Sequence, residues 1–179
     1  LIKHRNLEKE SLNSVLLQVA VPRDNEIKID AAEQLFSALA SIRKGGRFSF
    51  LSPQPHLSFE IVGLPGSIRF FVHTPKNLQD LIEKQINGAY PDAEIKIIED
   101  KDFVQKQYLV GNEYNIFSEN GKVAFASLKL KSSNYQPIKV FKDLPVDPLS
   151  SITSVLAKMV EGEGAAIQIM VSPADSKWK

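Results

Sequence analysis

The stretch HLSFEIVGLPGSIRFFVHTPKNLQDLIEKQINGAYPDAEIKIIED, residues 56–100, contains the pattern of a hairpin followed by a helix and a further strand. In its first strand apolar residues alternate with polar ones, which is the period of a half-buried strand. The apolar members of this strand are Leu57, Phe59 and Ile61. The loop at 63–67 contains two glycines and a proline, which favour a turn. Residues 68–73 alternate again, so the stretch predicts two strands joined by that loop.

A helix and a returning strand complete this stretch. Asn77 and Asp80 are residue types that favour the first turn of a helix. The apolar residues with helical spacing are Leu78, Leu81, Ile82 and Ile86. Gly88 and Pro91 are expected to end the helix, and residues 93–99 are predicted to return as a strand.

The front of the chain adds one strand and one helix. Residues 14–21 alternate, with one apolar face formed by Val15, Leu17, Val19 and Val21. Asp30 and Glu33 form a D-x-x-E start, which is close to a capping box. The predicted buried stripe of the helix contains Ala32, Leu35, Phe36, Leu39 and Ile42. Gly45 and Gly46 are expected to end the helix.

Residues 14–100 therefore follow the order βαββαβ, and we predict an α+β fold with a ferredoxin-like unit. In that arrangement the first and third strands are central, and these two are the most continuously apolar of the four. The second and fourth strands contain Glu60, Glu94 and Lys96, which favours edge positions.

Residues 101–179 are less regular, and we predict a second, incomplete α+β unit packed on the first. Segments 107–117 and 122–131 are extended on either side of an Asn-Gly pair at 120–121, which is a strong hairpin signal. The basic residues at the front of the chain form a separate lead, 1–13.

The second unit also contains a predicted helix and a final strand. Asp147 followed by Pro148 is a preferred helix start. The predicted buried face of that helix contains Leu149, Ile152, Leu156 and Met159. Gly162 is expected to end it, and residues 165–171 alternate as a strand.

The composition is that of a folded domain. With 179 residues of which 43% are hydrophobic, the chain contains enough apolar side chains for a core. Its formal net charge of +1 argues against duplex DNA as a partner, because such proteins usually carry a basic surface. The chain contains no cysteine, which excludes disulfides, thiolate catalysis and cysteine metal sites.

The motifs of catalysis and cofactor binding are missing from the sequence. The chain contains neither a G-x-x-x-x-G-K-[ST] phosphate loop nor a G-x-S-x-G nucleophile elbow. His4, His56 and His73 share no metal-ligand spacing. The glycines of RKGGR, 43–47, follow a predicted helix, so a helix end is favoured over a phosphate cradle. We therefore predict no catalytic residue, cofactor, metal site or enzyme activity in this chain.

The sheet face that points away from the helices is the candidate interaction face. Alternation places four residues of interest on it: Arg69, Phe71, His73 and Lys96. RNA-recognition modules stack bases on aromatic residues of this face, but Glu60 would repel phosphate here. We favour a face covered by the second half of the chain or by a partner. On the other face, Phe70 is predicted to be buried beneath the helices.

Several segments resemble the N-terminal accessory region of HerA/FtsK-superfamily ATPases of candidate-phylum bacteria, which are related to conjugative coupling proteins and type IV secretion ATPases. The resemblance covers about residues 12–179. Its most specific parts are AAEQLFSAL at 31–39, the hairpin from FEI at 59–61 to IRFFVHTP at 68–75, AYPDAEIK at 89–96 and DPLSSITSVL at 147–156.

This resemblance implies a location and a function. The nucleotide site of the family lies in a later domain, so none of its catalytic residues maps onto this chain. A membrane segment is expected upstream of Leu1, with the basic lead on the cytoplasmic side of the inner membrane. We expect a non-catalytic accessory or assembly domain of a DNA- or protein-translocating ATPase. Its expected partners are the downstream ATPase domain, neighbouring subunits, and secretion or conjugation components.

Two alternatives remain open from the sequence. The first is a ferredoxin-like module that binds single-stranded nucleic acid through its sheet face. The second is a regulatory domain that binds a small molecule, since α+β folds of this kind host many functions.

Overall fold

The computed structural model of the chain describes residues 13–24, 26–27, 30–42, 54–98, 122, 124–129, 131, 147 and 149–173. The strands in these residues are β1 (Ser14–Ala20), β2 (Leu57–Leu64), β3 (Ser67–Pro75), β4 (Glu94–Ile98) and β5 (Ala165–Val171). The α-helices are α1 (Asp30–Leu39), α2 (Gln79–Ala89) and α3 (Ser150–Leu156). Short 3-10 turns cover Ala40–Ile42 and Lys76–Leu78.

The five strands form one sheet in the order β4-β1-β3-β2-β5, and every neighbouring pair is antiparallel. This arrangement confirms the predicted α+β class. Both strands expected in the interior of the sheet, β1 and β3, are flanked on each side. The finer description of residues 14–100 as ferredoxin-like stays a prediction.

The expectation that β2 is an edge strand is wrong. β5 pairs with β2 along its length, from Leu57 opposite Val171 to Gly63 opposite Ala165. Glu60, which suggested an edge, accepts a hydrogen bond from Gln168 of β5 (Nε2···Oε1 2.8 Å), so its carboxylate is paired across the two strands. The last strand of the predicted second unit is therefore part of the same sheet as the first unit.

The main core lies between the sheet and helices α1 and α2. Its buried side chains are Leu17, Leu57 and Val72 from the sheet and Leu35, Leu39, Ile42, Ile82 and Ile86 from the helical segments. Leu17 lies opposite Val72, so alternation correctly predicted the face of the sheet that the helices cover.

Two residues predicted to belong to this core are partly exposed. Phe70 shares the helix-covered face through its pairing with Val19, yet 49% of its surface is exposed. Phe36 of α1, in the predicted buried stripe, is exposed to the same extent. The helices cover the centre of the row through Leu17 and Val72, and they leave Phe70 in the next row about half exposed.

Local signals predicted the turn between β2 and β3 correctly and the helix starts only in part. The turn between β2 and β3 lies at Pro65 and Gly66, two residues later than the start of the predicted loop. Gly66 has a φ of 72°, in the left-handed region that glycine adopts without steric cost. Asn77 does not cap α2, because a 3-10 turn precedes the helix and its N-cap residue, Leu78, has no side-chain cap hydrogen bond.

Helix α3 begins at Ser150 rather than at the predicted Asp147-Pro148 start, and its N-cap residue, Leu149, has no side-chain cap hydrogen bond. The Asp147 carboxylate accepts a hydrogen bond from the backbone N–H of Leu149 (N···Oδ1 2.9 Å). Within the predicted buried face Leu156 is buried, whereas Leu149 is exposed. The helix ends at Leu156, ahead of the predicted stop at Gly162.

The predicted hairpin of the second unit is not supported. Its first arm, 107–117, and its turn lie outside the described residues, as do 1–12 of the basic lead and Gly45 and Gly46. The described residues of the second arm, 122, 124–129 and 131, are exposed and belong to no strand. These residues pair with no strand in the described part of the chain.

Among the residues that the structure describes, no helix has the length and apolar character needed to span a membrane.

Candidate functional site

The four residues of the candidate interaction face do lie together on the sheet face opposite α1 and α2, here termed the back face. Gln18 of β1 lies opposite Phe71 of β3 on one side and opposite Lys96 of β4 on the other. Arg69 and His73 are two residues to either side of Phe71, so all three share this face.

The back face is closed at its centre. Only 4% of the surface of Phe71 is exposed, Arg69 and His73 are half-buried, and Lys96 is exposed. Phe71 belongs to a buried apolar cluster with Val62, Leu64 and Ile98, against which Leu16 packs. A base could not stack on the Phe71 ring in this arrangement.

His73 and Ser14 form a polar contact at the rim of this face. His73 Nε2 lies 2.8 Å from Ser14 Oγ, which joins β3 to β1. Burial lowers the pKa of the His73 imidazole below its ordinary value of 6.5, the Glu60 charge acts in the opposite direction, and His56 lowers it further. The structure therefore favours the neutral imidazole.

A serine in contact with a histidine can serve as a nucleophile when a third group, usually a carboxylate, orients the histidine. The nearby carboxylate here is that of Glu60. Glu60 Oε1 accepts hydrogen bonds from Ser58 Oγ (2.9 Å) and Gln168 Nε2 (2.8 Å). These bonds connect Glu60 to β2 and β5 rather than to the imidazole.

Across the described ranges, no group of three or more His, Cys, Asp or Glu side chains is arranged to hold a metal ion.

A second candidate surface lies on the helix side of the sheet, between α1 and β5. Phe36 of α1 packs edge-on against Phe59 of β2, with ring centroids 5.1 Å apart and an interplanar angle of 70°. Phe59 lies opposite Ile169 of β5, and directly opposite residues share a face with Cβ atoms about 4.5–5.5 Å apart. In the next row, Ile61 lies between Phe70 of β3 and Ile167 of β5. The six side chains form one surface, here termed the apolar strip: Phe36, Phe59, Ile61, Phe70, Ile167 and Ile169.

The apolar strip is half open to solvent. Phe36, Phe70 and Ile169 each expose about half of their surface (50%, 49% and 54%). Scattered apolar residues on a protein surface are common, but contiguous exposed groups generally mark interaction sites. The strip is therefore the better candidate for a contact with another protein.

Sequence patterns did not reveal this strip. Helical spacing predicted Phe36 as buried, and alternation predicted the same for Phe70, whereas Ile167 and Ile169 were assigned only to an alternating strand. The strip exists because β5 pairs with β2, and Gln168 and Glu60 of those strands are 108 residues apart in the chain. No local signal specifies such a pairing.

Comparison with known proteins identifies a family whose function is unknown. No match was found among curated proteins or among solved structures. A family model described as Domain of unknown function (DUF8128) matches residues 3–179. Because that match spans almost the whole chain, the chain belongs to the DUF8128 family of domains of unknown function.

Proposed function

We propose that this chain is a non-catalytic assembly domain of a membrane-anchored ATPase that translocates DNA or protein, of the kind used in conjugation and type IV secretion. The resemblance of its sequence segments to the accessory region of HerA/FtsK-superfamily ATPases supports the motor part of this proposal. On this proposal the domain lies on the cytoplasmic side of the inner membrane and holds neighbouring subunits, or its own downstream ATPase domain, in position.

The apolar strip is the observation that supports an assembly role. Fully burying a large apolar side chain contributes about 1.5–3 kcal/mol, so covering the exposed halves of Phe36, Phe70 and Ile169 would contribute roughly 2–4 kcal/mol. That amount is a substantial fraction of the free energy of a protein–protein contact. A partner that covers the strip would therefore gain affinity from these three side chains.

Binding of single-stranded nucleic acid through the back face has less support. Stacking on an aromatic ring requires that the ring be exposed, whereas Phe71 is buried. Glu60 lies on the same face, opposite Phe71, and its carboxylate would repel phosphate. The net charge of +1 offers little long-range attraction for a polyanion.

The proposal is tested by inserting a charge into the strip within the complete gene product. Phe36→Glu alters a half-exposed residue on the surface of α1. Val160→Glu, at a position of similar exposure (60%) in the loop after α3, is the matched control. Mass photometry over a concentration series measures the distribution of oligomers, and circular dichroism checks that both variants are folded.

We expect Phe36→Glu to shift the distribution towards smaller species, because burying a carboxylate in an apolar contact is unfavourable. We expect Val160→Glu to leave the distribution unchanged. If Phe36→Glu assembles as the unaltered protein does, the strip takes no part in assembly and the proposal loses its structural support.

A further inference from the structure

β5 is an edge strand with an unusual composition. Among the described residues it pairs with β2 on one side and with no strand on its other side. Its seven residues, AAIQIMV, contain no charge, and Met170 is 65% exposed. The opposite edge strand, β4, carries Glu94 and Lys96, both exposed. Charged side chains are a common means of preventing pairing at an edge, and β5 has none.

We propose that β5 pairs antiparallel with β5 of a second copy of this chain, about a two-fold axis that passes between the Gln168 residues of the two copies. This inference rests on the proposed assembly function and identifies one partner for it. The sequence of β5 is nearly symmetric about its central residue, which makes the strand complementary to itself.

In this register each apolar residue meets another apolar residue. Ile167 lies opposite Ile169 of the partner subunit, Ala166 opposite Met170 of the partner subunit, and Ala165 opposite Val171 of the partner subunit. Gln168 meets its own copy at the axis, on the back face. Each pair consists of two odd-numbered or two even-numbered residues. The backbone N–H and C=O groups of β5 that point away from β2 therefore face the same groups of the partner strand.

The same axis brings the two apolar strips together. A two-fold axis perpendicular to the sheet keeps the helix side of both copies on one side of a continuous ten-stranded sheet. Ile167 and Ile169 belong to the strip and also to the joined edge. The two strips therefore meet across the axis and cover part of each other.

The expected contact is small. Seven residues of strand are roughly 24 Å long, and the sheet is about 10 Å thick, so the two edges together bury on the order of 500 Å². Stable interfaces bury about 1,200–2,000 Å², so the strips must supply the remaining area. The formal net charge of +1 per chain opposes this self-association only weakly. We therefore expect a dimer with a dissociation constant in the micromolar range.

The first test compares two lysine substitutions at opposite edges of the sheet in the 179-residue chain. Ile169 and Ile97 lie in the same cross-strand row, which runs from β5 to β4 through Phe59, Val72 and Leu17. Sedimentation equilibrium over about 1–200 μM measures the dimer. We expect Ile169→Lys to raise the dissociation constant at least tenfold and Ile97→Lys to leave it unchanged.

The second test uses the absence of cysteine from the chain. Gln168→Cys places one thiol beside its own copy at the axis, where Cα atoms of opposite residues are about 4.5–5.5 Å apart, within reach of a disulfide. Ala165→Cys is the control, because the two copies of residue 165 are separated by roughly 20 Å along the strands. Mild oxidation followed by non-reducing electrophoresis should give a covalent dimer with Gln168→Cys and not with Ala165→Cys.

Three results would overturn the inference. These are a wild-type chain that is monomeric at 200 μM, a dimer that Ile169→Lys does not weaken, and equal cross-linking by both cysteine variants. If Ile169→Lys fails to fold, the cysteine variants decide the question alone. These results would overturn the β5 pairing but not the proposed assembly function. The Phe36→Glu experiment tests that function separately, because it reports on contacts with any subunit.

Discussion

Gly63 of β2 lies in direct contact with Leu156 of α3. A Cβ atom placed on Gly63 would be 2.8 Å from Leu156 Cβ and 3.2 Å from its Cα. Leu156 is almost completely buried, and it is the buried residue of the short helix α3. Because the close contact includes a backbone atom, a new side-chain rotamer of Leu156 would not relieve it.

Gly63→Ala is therefore expected to lower the free energy of unfolding by roughly 1–3 kcal/mol, the usual cost of overpacking a tight contact. Gly88→Ala is the matched control: Gly88 is in α2, and nothing lies within 4 Å of its added Cβ. There the substitution should raise stability by up to about 1 kcal/mol, since alanine is the better helix former. Urea unfolding measures both, and a loss at Gly88 equal to that at Gly63 would contradict the packing argument.

Phe71→Ala should be far more costly than Phe70→Ala, although the two residues are neighbours on β3. Phe71 is buried in the back-face cluster, and truncating a buried phenylalanine costs about 3–5 kcal/mol. Phe70 exposes half of its surface, so we expect a loss below about 2 kcal/mol there. Denaturant titration of the two variants measures the difference. Equal losses would mean that the helix side of β3 is covered as fully as the back face.

This pair of residues also separates what the sequence could predict from what it could not. Alternation along β3 correctly assigned Phe70 and Phe71 to opposite faces, and the order of strands and helices gave the α+β class. Burial depends on what lies above each face. The helices do not extend over Phe70, and no local pattern specifies how far a helix layer extends across a sheet.

Glu60 illustrates a second limit of prediction from sequence. A carboxylate in the middle of a strand favours an edge position, yet β2 is paired on both sides. The carboxylate is instead held by Ser58 and by Gln168 of β5. The shared face of Arg69, Phe71, His73 and Lys96 was predicted correctly, because strand order and period determine it. The apolar strip was missed because it depends on the long-range pairing of β2 with β5.

His73 should make stability depend on pH below neutrality. Burial lowers the pKa of its imidazole in the folded chain, whereas in the unfolded chain it titrates near 6.5. As the pH falls through 6.5 the unfolded chain binds more protons than the folded one, so the free energy of unfolding decreases. His73→Gln retains a polar group beside Ser14 without this titration.

Urea unfolding at pH 7.5, 6.5 and 5.5, above the range in which carboxylates titrate, measures this dependence. We expect a shallower decrease in stability on acidification in His73→Gln than in the unaltered chain. Identical slopes, or an unaltered chain that becomes more stable at pH 5.5, would show that His73 is not held in its neutral form.

The chain should not bind ATP, because its sequence contains no phosphate loop. Isothermal titration calorimetry of the 179-residue chain with ATP and Mg²⁺ is expected to show no saturable heat at micromolar concentrations. Saturable binding in that range would require a nucleotide site that the sequence motifs do not reveal.

Single-stranded DNA should bind this chain only weakly, and its binding should disappear at physiological salt. Phe71 is buried and cannot stack a base, which leaves Lys96 as the exposed basic residue among the four candidates on the back face. Fluorescence anisotropy of a labelled oligo-dT strand at low and physiological salt measures the affinity. Lys96→Glu tests the back face, and Lys122→Glu, also exposed, is the control for general charge. We expect equal, small effects of both. Micromolar binding that persists at physiological salt and is lost only in Lys96→Glu would replace the assembly function with nucleic-acid binding.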